Sequence, residues 1–400
     1  MSQYVVWFDS AEAGAPALTN AAGSMIGVLD ACLVTGFNPK TLTSIVMLGG
    51  VATAMLNGHG YSGIYGKDIE VTGATPASLN GRKALLSADA NTFTFAAPGV
   101  PDGTASGTIT TKRSPLGWIK EFSGTNKAVF KRSDITATGM KLRIVDDASN
   151  AAEARVLMVE TAIDIDTFTE QKPTAVVIAD GKGQYWNKGT DDTTNKQWSL
   201  IGDSKGFYFF TQSGTQIYPF STADKYTSLP MAFFDFASLK PGDAYNTILS
   251  GGKSLSYGIG ADYTSAAIGG GNANATSSAP LGNFALARPY SQLPGAVGIC
   301  TVAPSSDASQ SGAYTNQPFP SPIDSGFLMS IATPISEQLS TGTAYRGFLP
   351  GYIHFLANKP IAHHQIFANV GALAGRKIIG LRPYVQGSAN FGLDLTGPWY

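Results

Sequence analysis

The sequence is interrupted throughout by residues that form turns. It contains 46 glycines and 22 prolines in 400 residues, and the segments between them are short and alternate polar with apolar residues. Glycine and proline interrupt long helices but suit a chain that reverses often, and an alternation with a period of two is typical of strands. We therefore expect a mainly β protein, a multi-domain β-sandwich or β-barrel, with one short N-terminal helix.

That helix is predicted over residues 22–35, where apolar residues recur at helical spacing. We expect Asn20 or Ser24 to cap its first turn and Gly36 to end it. The apolar residues are Met25, Val28, Leu29, Cys32 and Leu33.

Residues 41–112 carry the strongest hairpin signals. Two alternating segments, 43–48 and 51–56, flank Gly49-Gly50, which has the length and composition of a tight hairpin loop. Residues 91–95 alternate in the same way. We expect a small closed or nearly closed β unit here, inserted near the N-terminus and projecting outward.

Strand signals continue along the rest of the chain. Residues 251–282 and 303–322 are instead rich in Gly, Ser, Ala, Asn and Pro, so they are predicted as long surface loops that contact neighbouring subunits. The end of the sequence, Trp399-Tyr400, is expected to be ordered rather than frayed and to contact the same neighbouring subunits. The predicted strands cover residues 127–131, 141–145, 155–159, 174–178, 197–201, 207–212, 353–355, 377–379 and 391–395.

These signals suggest five stretches. The first belongs to the main β domain, which the last stretch completes. In order, they are 1–40 with a strand and the helix, 41–112 as the inserted barrel-like module, 113–250 as the main β domain, 251–345 as the loop-rich region and 346–400 as the C-terminal strands.

The charge balance favours an assembled subunit over a nucleic-acid binder. Lys plus Arg number 27 and Asp plus Glu number 28, and charged residues make up only 14% of the chain. A net charge of -1 provides no field to attract a phosphate backbone, so nucleic acid is not expected as a partner. A weakly charged surface suits subunits that remain packed together.

The compartment expected from the sequence is the cytosol of the producing cell. Cys32 and Cys300 lie far apart in apolar surroundings and are predicted to be buried free thiols. We expect neither a signal peptide nor a membrane span, because no apolar stretch has the length of either. The sequon at Asn274 is accordingly expected to be unused.

No motif in the sequence predicts catalysis. The histidines have no local signature of a catalytic base around them, and Gly252-Lys253-Ser254 lacks the first glycine of a phosphate loop, since Thr247 takes its place. We predict no catalytic residue, no cofactor, no cofactor-binding residue and no metal ligand. The histidines are His59, predicted as a turn residue whose ring bonds its own backbone, His354, and the pair His363-His364. This pair is interpreted as a loop or strand-end pair rather than as metal ligands, because adjacent residues of a strand face opposite sides and no Cys or acidic cluster accompanies them.

Acidic pairs and aromatic residues leave one alternative open. Asp164 and Asp166 would share a strand face, where they could serve a glycosidase or bind a cation. Because all the acidic pairs lie beside turn formers, solvated turn acids are the preferred interpretation. The other pairs are Asp146-Asp147 and Asp191-Asp192, and the aromatic residues that could stack a sugar, although alternation sends half of them inward, are Trp186, Trp198, Phe207, Tyr208, Phe209 and Phe210.

Several blocks of the sequence contain unusual motifs, among them W-x-K-x-F-S-G-T-N-K-A and L-T-G-P-W. In these blocks the chain resembles a group of virion structural proteins of tailed bacteriophages. The 41–112 unit is similar to small β modules that decorate phage proteins, and distantly to a β-barrel of ubiquitin-activating enzymes, whose catalytic motifs are missing here. The blocks cover residues 4–37, 74–131, 196–210, 233–245 and 345–400.

The resemblance implies a non-enzymatic structural component of the virion, made in the host cytoplasm. We expect a place in the tail or tail tip, with symmetric contacts to copies of itself and to other virion proteins. An adhesin or spike that binds a host surface glycan is the alternative, and a head decoration protein is a third placement.

Overall fold

The computed structural model describes residues 5–62, 68–147, 153–174, 182–188, 193–211, 231–251, 283–296, 298–302, 320–327, 329–330, 332–339, 342–355, 361–371, 373–381 and 391–399. The protein is mainly β, with strands forming 49% and helices 5%. The predicted fold class is confirmed. The predicted domain boundaries stay a prediction.

The N-terminal helix lies where the sequence predicts it. Strand β1 (Val6–Asp9) precedes helix α1 (Ser24–Asp30), which continues directly into a π-helical turn (Ala31–Thr35). Gly36 follows with φ 72° and ends the helix. Met25 and the other apolar residues of the pattern are buried.

The predicted cap of this helix is wrong. Gly23 occupies the N-cap position without a side-chain bond, and the Ser24 hydroxyl donates to the backbone oxygen of Thr19. The Met25 N–H instead donates to the carboxylate of Asp146 at 2.9 Å. This partner lies 121 residues further along the chain, so no local sequence pattern predicts the contact.

An eight-stranded antiparallel sheet forms the small barrel. Its order is β2-β9-β5-β6-β7-β4-β3-β8, and a bridge between Thr75 and Ser106 joins the chain after β5 to the chain after β8, so the sheet curls almost closed. The strands, with a 3-10 turn at Ala77–Leu79, are β2 (Phe37–Thr41), β3 (Ser44–Leu48), β4 (Val51–Met55), β5 (Asp68–Thr72), β6 (Gly81–Ala88), β7 (Thr92–Ala96), β8 (Gly103–Thr104) and β9 (Thr110–Arg113).

A five-stranded antiparallel sheet follows, in the order β10-β11-β12-β13-β16. The predicted strands at 127–131, 141–145 and 155–159 are confirmed, and the one at 174–178 lies outside the described residues after Thr174. The strands are β10 (Ile119–Gly124), β11 (Lys127–Lys131), β12 (Lys141–Val145), β13 (Glu153–Val159), the separate hairpin of β14 (Thr161–Ala162) and β15 (Phe168–Thr169), and β16 (Gln184–Asn187).

A ten-stranded sheet is the largest element. Its order is β1-β17-β18-β19-β21-β22-β23-β25-β26-β20. Because β20 continues β19 after Phe236 and pairs with β26, the sheet returns to one of its own middle strands. The strands from this part of the chain are β17 (Trp198–Gly202), β18 (Gly206–Thr211), β19 (Met231–Asp235), β20 (Ala237–Ser238), β21 (Thr247–Ser250), β22 (Asn283–Leu286), β23 (Gly298–Val302), β24 (Met329–Ser330), β25 (Pro334–Leu339) and β26 (Gly342–Phe348).

The C-terminal residues build a second five-stranded sheet together with β24. Its order is β24-β27-β30-β29-β28, and it confirms the three strands predicted after residue 350. The remaining strands are β27 (Tyr352–Phe355), β28 (Ile366–Val370), β29 (Leu373–Leu381) and β30 (Phe391–Asp394).

The ten-stranded sheet is covered on both faces. Phe207 and Phe209 belong to one apolar cluster, shared with α1 and the first five-stranded sheet. Tyr208 and Phe210 belong to another, shared with the C-terminal sheet. Core packing therefore accounts for these aromatic residues, as the preferred interpretation has it, and because both faces of this sheet are covered, alternation buries the two halves of the run 207–210 on opposite sides.

The C-terminal end is held in place, as predicted. Trp399 is buried, donates from Nε1 to the backbone oxygen of Asp394 at 2.8 Å, and meets the ring of Tyr208 edge-on. Its indole is enclosed by its own chain, and the predicted contact of the Trp399-Tyr400 end with a neighbour stays a prediction. Tyr400 and almost all of the two predicted surface loops lie outside the described residues.

Candidate functional site

One side of the small barrel is fixed to β1 by a buried arginine. Arg113, the last residue of β9, forms an ion pair with Glu12 at 2.7 Å, and both side chains are buried. Its other nitrogens donate to the backbone oxygens of Asp68 and Trp7, and its guanidinium lies 4.8 Å from the centre of the Phe8 ring. The strands β9 and β5 therefore form the anchored side of the barrel.

The other side presents an open sheet surface, which we call the outer face. It consists of the residues of β3, β4 and β7 that point away from the barrel core, and their register aligns them in three cross-strand rows. Because β3 and β4 alternate, Ile45, Met47, Ala52 and Ala54 point inward and are buried. The rows are Ser44 with Met55 and Thr92, Val46 with Thr53 and Thr94, and Leu48 with Val51 and Ala96.

The outer face is apolar at several exposed positions and has no ionisable side chain. Val46 is 41% exposed, Leu48 72% and Met55 47%, and Leu86, in the bulge where β6 meets β7, is 61% exposed. Charge is found on the anchored side, where Lys112 on β9 pairs with Glu70 on β5 at 3.3 Å.

Two carboxylates hold the loops at the ends of this face. Asp102 accepts the backbone N–H of Gly49 in the β3–β4 hairpin at 2.8 Å. Asp89 accepts the N–H groups of Asn91 and Thr92 at the start of β7, and these hydrogen bonds hold the pKa of the Asp89 carboxyl below its ordinary value. The face is therefore preorganised by its own loops.

Asp164 and Asp166 are turn acids, which confirms the preferred interpretation. Asp164 accepts the N–H groups of Asp166 and Thr167 at 2.8 and 2.7 Å, while Asp166 pairs with Lys127 and Arg143. The first set of bonds lowers the pKa of Asp164, and the Lys127 contact leads the lowering for Asp166. Neither carboxyl can remain protonated near neutral pH, as the acid of a glycosidase must.

Asp146 corrects the same interpretation for another pair. Instead of lying in solvent, it is buried against Lys188, with Oδ1 and Nζ 2.6 Å apart. Its carboxylate also accepts the Met25 N–H in the first turn of α1, so these partners compensate its burial. The pair Asp191-Asp192 and the segment Gly252-Lys253-Ser254 lie outside the described residues.

Three histidines lie in turns, as predicted. His59 is buried, and its Nδ1 accepts the N–H of Tyr61 at 2.9 Å. His363 and His364 share a turn before β28, and their ring centres are 3.7 Å apart. The two rings can meet because strand alternation does not apply in the turn, where His364 has φ 64°.

His364 also completes a Ser-His-Asp group that the sequence did not indicate. Its Nε2 lies 3.2 Å from the Ser199 hydroxyl, and its Nδ1 lies 3.6 Å from Asp9. The hydroxyl, however, donates to Asp9 at 2.8 Å, and Ser199 is buried between two strands. A nucleophilic serine must be open and bonded to its base, so this group ties the turn to β1 rather than activating Ser199.

No family model matches the chain, and a search of curated proteins finds no match either. Within the described residues, no three His, Cys, Asp or Glu side chains are grouped to hold a metal ion, and no helix there is long and apolar enough to cross a membrane.

The small barrel is predictable from the sequence, but its outer face is not. The signal was present, because the hairpin predicted around Gly49-Gly50 fixes which alternate residues share a side. What the sequence did not show is which side faces solvent, since that depends on Arg113 anchoring the barrel from β9.

Proposed function

We propose that the chain is a structural component of a tailed bacteriophage particle, in the tail or tail tip, that assembles through symmetric subunit contacts. The observation that carries this proposal is the outer face of the small barrel, which is exposed, uncharged and opposite the anchored side. The resemblance of the sequence blocks to phage virion proteins supplies the kind of particle.

Covering the outer face with a neighbouring subunit is energetically favourable, because apolar side chains are removed from water. Fully burying a valine, leucine or methionine side chain contributes about 1.5 to 3 kcal/mol relative to exposure, and Val46, Leu48 and Met55 remain partly open in the single chain. Exposed apolar surface of this kind is typical of interaction sites. We propose copies of the chain and other virion proteins as the partners, and no enzymatic activity.

The ionisable candidates support a non-enzymatic role. Asp146, Asp166, Arg113 and Asp9 each hold a close protein partner, so their charges are used in fixing strands, turns and the helix. Such pairs position elements of the fold without presenting a reactive group to solvent.

Analysis of purified particles tests this proposal. We expect peptides of this chain in mass spectra of gradient-purified virions, and antibody against the small barrel to label the tail in electron micrographs. Labelling of the head would overturn the tail placement and support a decoration protein. Virions without the chain would overturn the proposal altogether.

A glycan-binding adhesin remains the second candidate because of two exposed tyrosines. Tyr290 and Tyr345 are each at least half exposed, and the Lys240 ammonium lies 4.4 Å from the centre of the Tyr290 ring. Exposed aromatic rings can stack on sugars. A glycan array should then show binding that Tyr290→Ala and Tyr345→Ala remove, whereas an array without binding would exclude this candidate.

A further inference from the structure

We propose that Asn57 is a site of spontaneous deamidation, at which the side-chain amide is lost and the residue becomes aspartate or isoaspartate. The chain supplies its own comparison, because the tripeptide Leu-Asn-Gly occurs twice, at 56–58 and at 79–81. The fold leaves the first Asn-Gly pair reactive and protects the second. This inference concerns the single chain and does not depend on the proposed function.

Deamidation requires that the asparagine side chain reach the backbone of the next residue. The backbone nitrogen of Gly58 attacks Cγ of Asn57, the new N–Cγ bond closes a five-membered imide, and the side-chain nitrogen leaves as ammonia with the proton from Gly58. Water then opens the imide at either carbonyl, which gives aspartate or isoaspartate. Glycine favours the attack because it has no Cβ and its backbone adopts the required conformation easily.

The Asn57 side chain can reach that geometry. It is exposed in the turn after β4, and its amide forms no hydrogen bond within the part of the chain that the structure describes. A Cβ built on Gly58 would meet nothing within 4 Å, so the space beside the reacting nitrogen is open. The bond that must open first runs from the Gly58 N–H to the backbone oxygen of Ala90 at 3.1 Å.

The Asn80 side chain is held at both ends of its amide. Its Oδ1 accepts the N–H of Ala74, and its Nδ2 donates to the backbone oxygen of Ala74, each at 2.8 Å. These bonds fix the position of Cγ, and Nδ2 cannot leave without breaking one of them. Gly81 is the first residue of β6 and pairs with Val71 of β5, so the sheet also restrains its backbone. The same tripeptide is therefore constrained at one site and open at the other.

Conversion of Asn57 would disturb the small barrel next to a packed residue. The Nδ1 atom of the buried His59 accepts the N–H of Tyr61, and the backbone oxygen of His59 accepts Nδ2 of Asn38 at 2.9 Å. An isoaspartate lengthens the backbone shortly before these contacts and adds a negative charge. The site therefore lies where chemical ageing would affect the folded barrel.

Incubation of the folded protein in mildly alkaline buffer, followed by peptide mass spectrometry, measures both sites in one sample. We expect conversion at Asn57 to exceed conversion at Asn80 about fivefold or more, because two side-chain hydrogen bonds oppose the reaction at Asn80 and one backbone hydrogen bond opposes it at Asn57. In guanidinium chloride both tripeptides lose their structure, so the ratio should fall toward one. A fresh sample carried through the same digestion sets the background.

Asn57→Gln is the matched variant. It keeps an exposed amide, but the corresponding attack would close a six-membered ring, which forms far more slowly. Product from the peptide that contains residue 57 should therefore disappear, while the slow conversion at Asn80 is unchanged. Circular dichroism before each incubation confirms that both proteins are folded.

Four outcomes would overturn the proposal. They are no conversion at Asn57 in the folded protein, equal conversion at the two sites of the folded protein, a ratio that is the same in folded and unfolded protein, and product in the residue 57 peptide that survives Asn57→Gln.

Discussion

At the scale of single residues, Asp203 forms hydrogen bonds within its own turn and is also covered by a residue from a distant part of the chain. Its Oδ1 accepts the N–H groups of Lys205 and Gly206 at 2.8 and 3.0 Å, in the turn between the strands predicted at 197–201 and 207–212. Its burial was not predictable, because Trp118 from another segment donates to its backbone oxygen. Oδ2 is buried with no hydrogen-bond partner, and burial raises the pKa of the carboxyl from 3.8 to about 7.

The protein should therefore lose stability as the pH rises through this residue's range. Between pH 4 and 7 the folded state holds a proton that the unfolded chain has released, so the free energy of unfolding falls with rising pH. From pH 5 to pH 8 the Asp203 contribution to this loss is about 2 to 3 kcal/mol. Asp203→Asn, which keeps the accepting oxygen, should remove it.

Urea unfolding of the wild type and of Asp203→Asn at both pH values measures this effect. The variant should gain stability over the wild type at pH 8 relative to pH 5. Ser204→Ala, a neighbouring change that leaves the carboxyl in place, serves as the control. The same difference between the two proteins at both pH values would contradict the assignment of the shift to Asp203.

At the scale of elements, the β3–β4 hairpin and helix α1 differ in the sequence separation of the residues that determine them. The loop of the β3–β4 hairpin consists of Gly49 and Gly50 with φ 58° and 77°, and both residues are adjacent in sequence, so the turn was predictable. The cap of α1 comes from Asp146, which follows β12. Only the folded chain brings that carboxylate to the helix.

The left-handed conformation of Gly49 predicts a contrast between two substitutions. A Cβ at this position would meet nothing within 4 Å, so only the backbone conformation opposes a side chain. Gly49→Val should cost about 1 to 2 kcal/mol of unfolding free energy. Gly49→Asn should lower the unfolding free energy by only a few tenths of the loss for Gly49→Val, because asparagine tolerates this conformation in hairpin loops.

Thermal unfolding followed by circular dichroism compares these two variants directly. A melting temperature that falls for the valine variant and stays near the wild type for the asparagine variant is the expected result. Equal losses would show that space, rather than conformation, limits the position.

At the scale of the whole molecule, the sequence predicted the classes of elements but not how the sheets stack. Turn formers and alternation identified a mainly β chain and the small barrel, because those signals are local. Phe207 to Phe210 form a run buried on both faces, so alternation carried no information about which side is the core. The contact of His364 with Asp9 and Ser199 joins segments that no sequence spacing connects.

The attachment of the small barrel should depend on one ion pair. Arg113→Met leaves the Glu12 carboxylate buried without its partner, and breaking such a pair costs about 3 to 5 kcal/mol. Adding Glu12→Gln removes the stranded charge and should recover part of the loss. Lys112→Met removes a partly exposed pair and should cost less than about 1 kcal/mol.

Denaturant titrations of these three proteins and the wild type measure the differences. The expected order of stability is wild type, Lys112→Met, the double variant and Arg113→Met. If Arg113→Met unfolded no earlier than Lys112→Met, the pair would not hold the barrel in place.

The entry and exit strands of the small barrel are neighbours. Phe37 of β2 pairs with Arg113 of β9, and Thr41 pairs with Thr110, so the chain leaves the barrel beside the point where it enters. A genetic exchange that replaced everything between these strands would keep the threading of the remaining sheets intact. Recombination between related genes could therefore insert, delete or exchange the segment that encodes the barrel as a single unit.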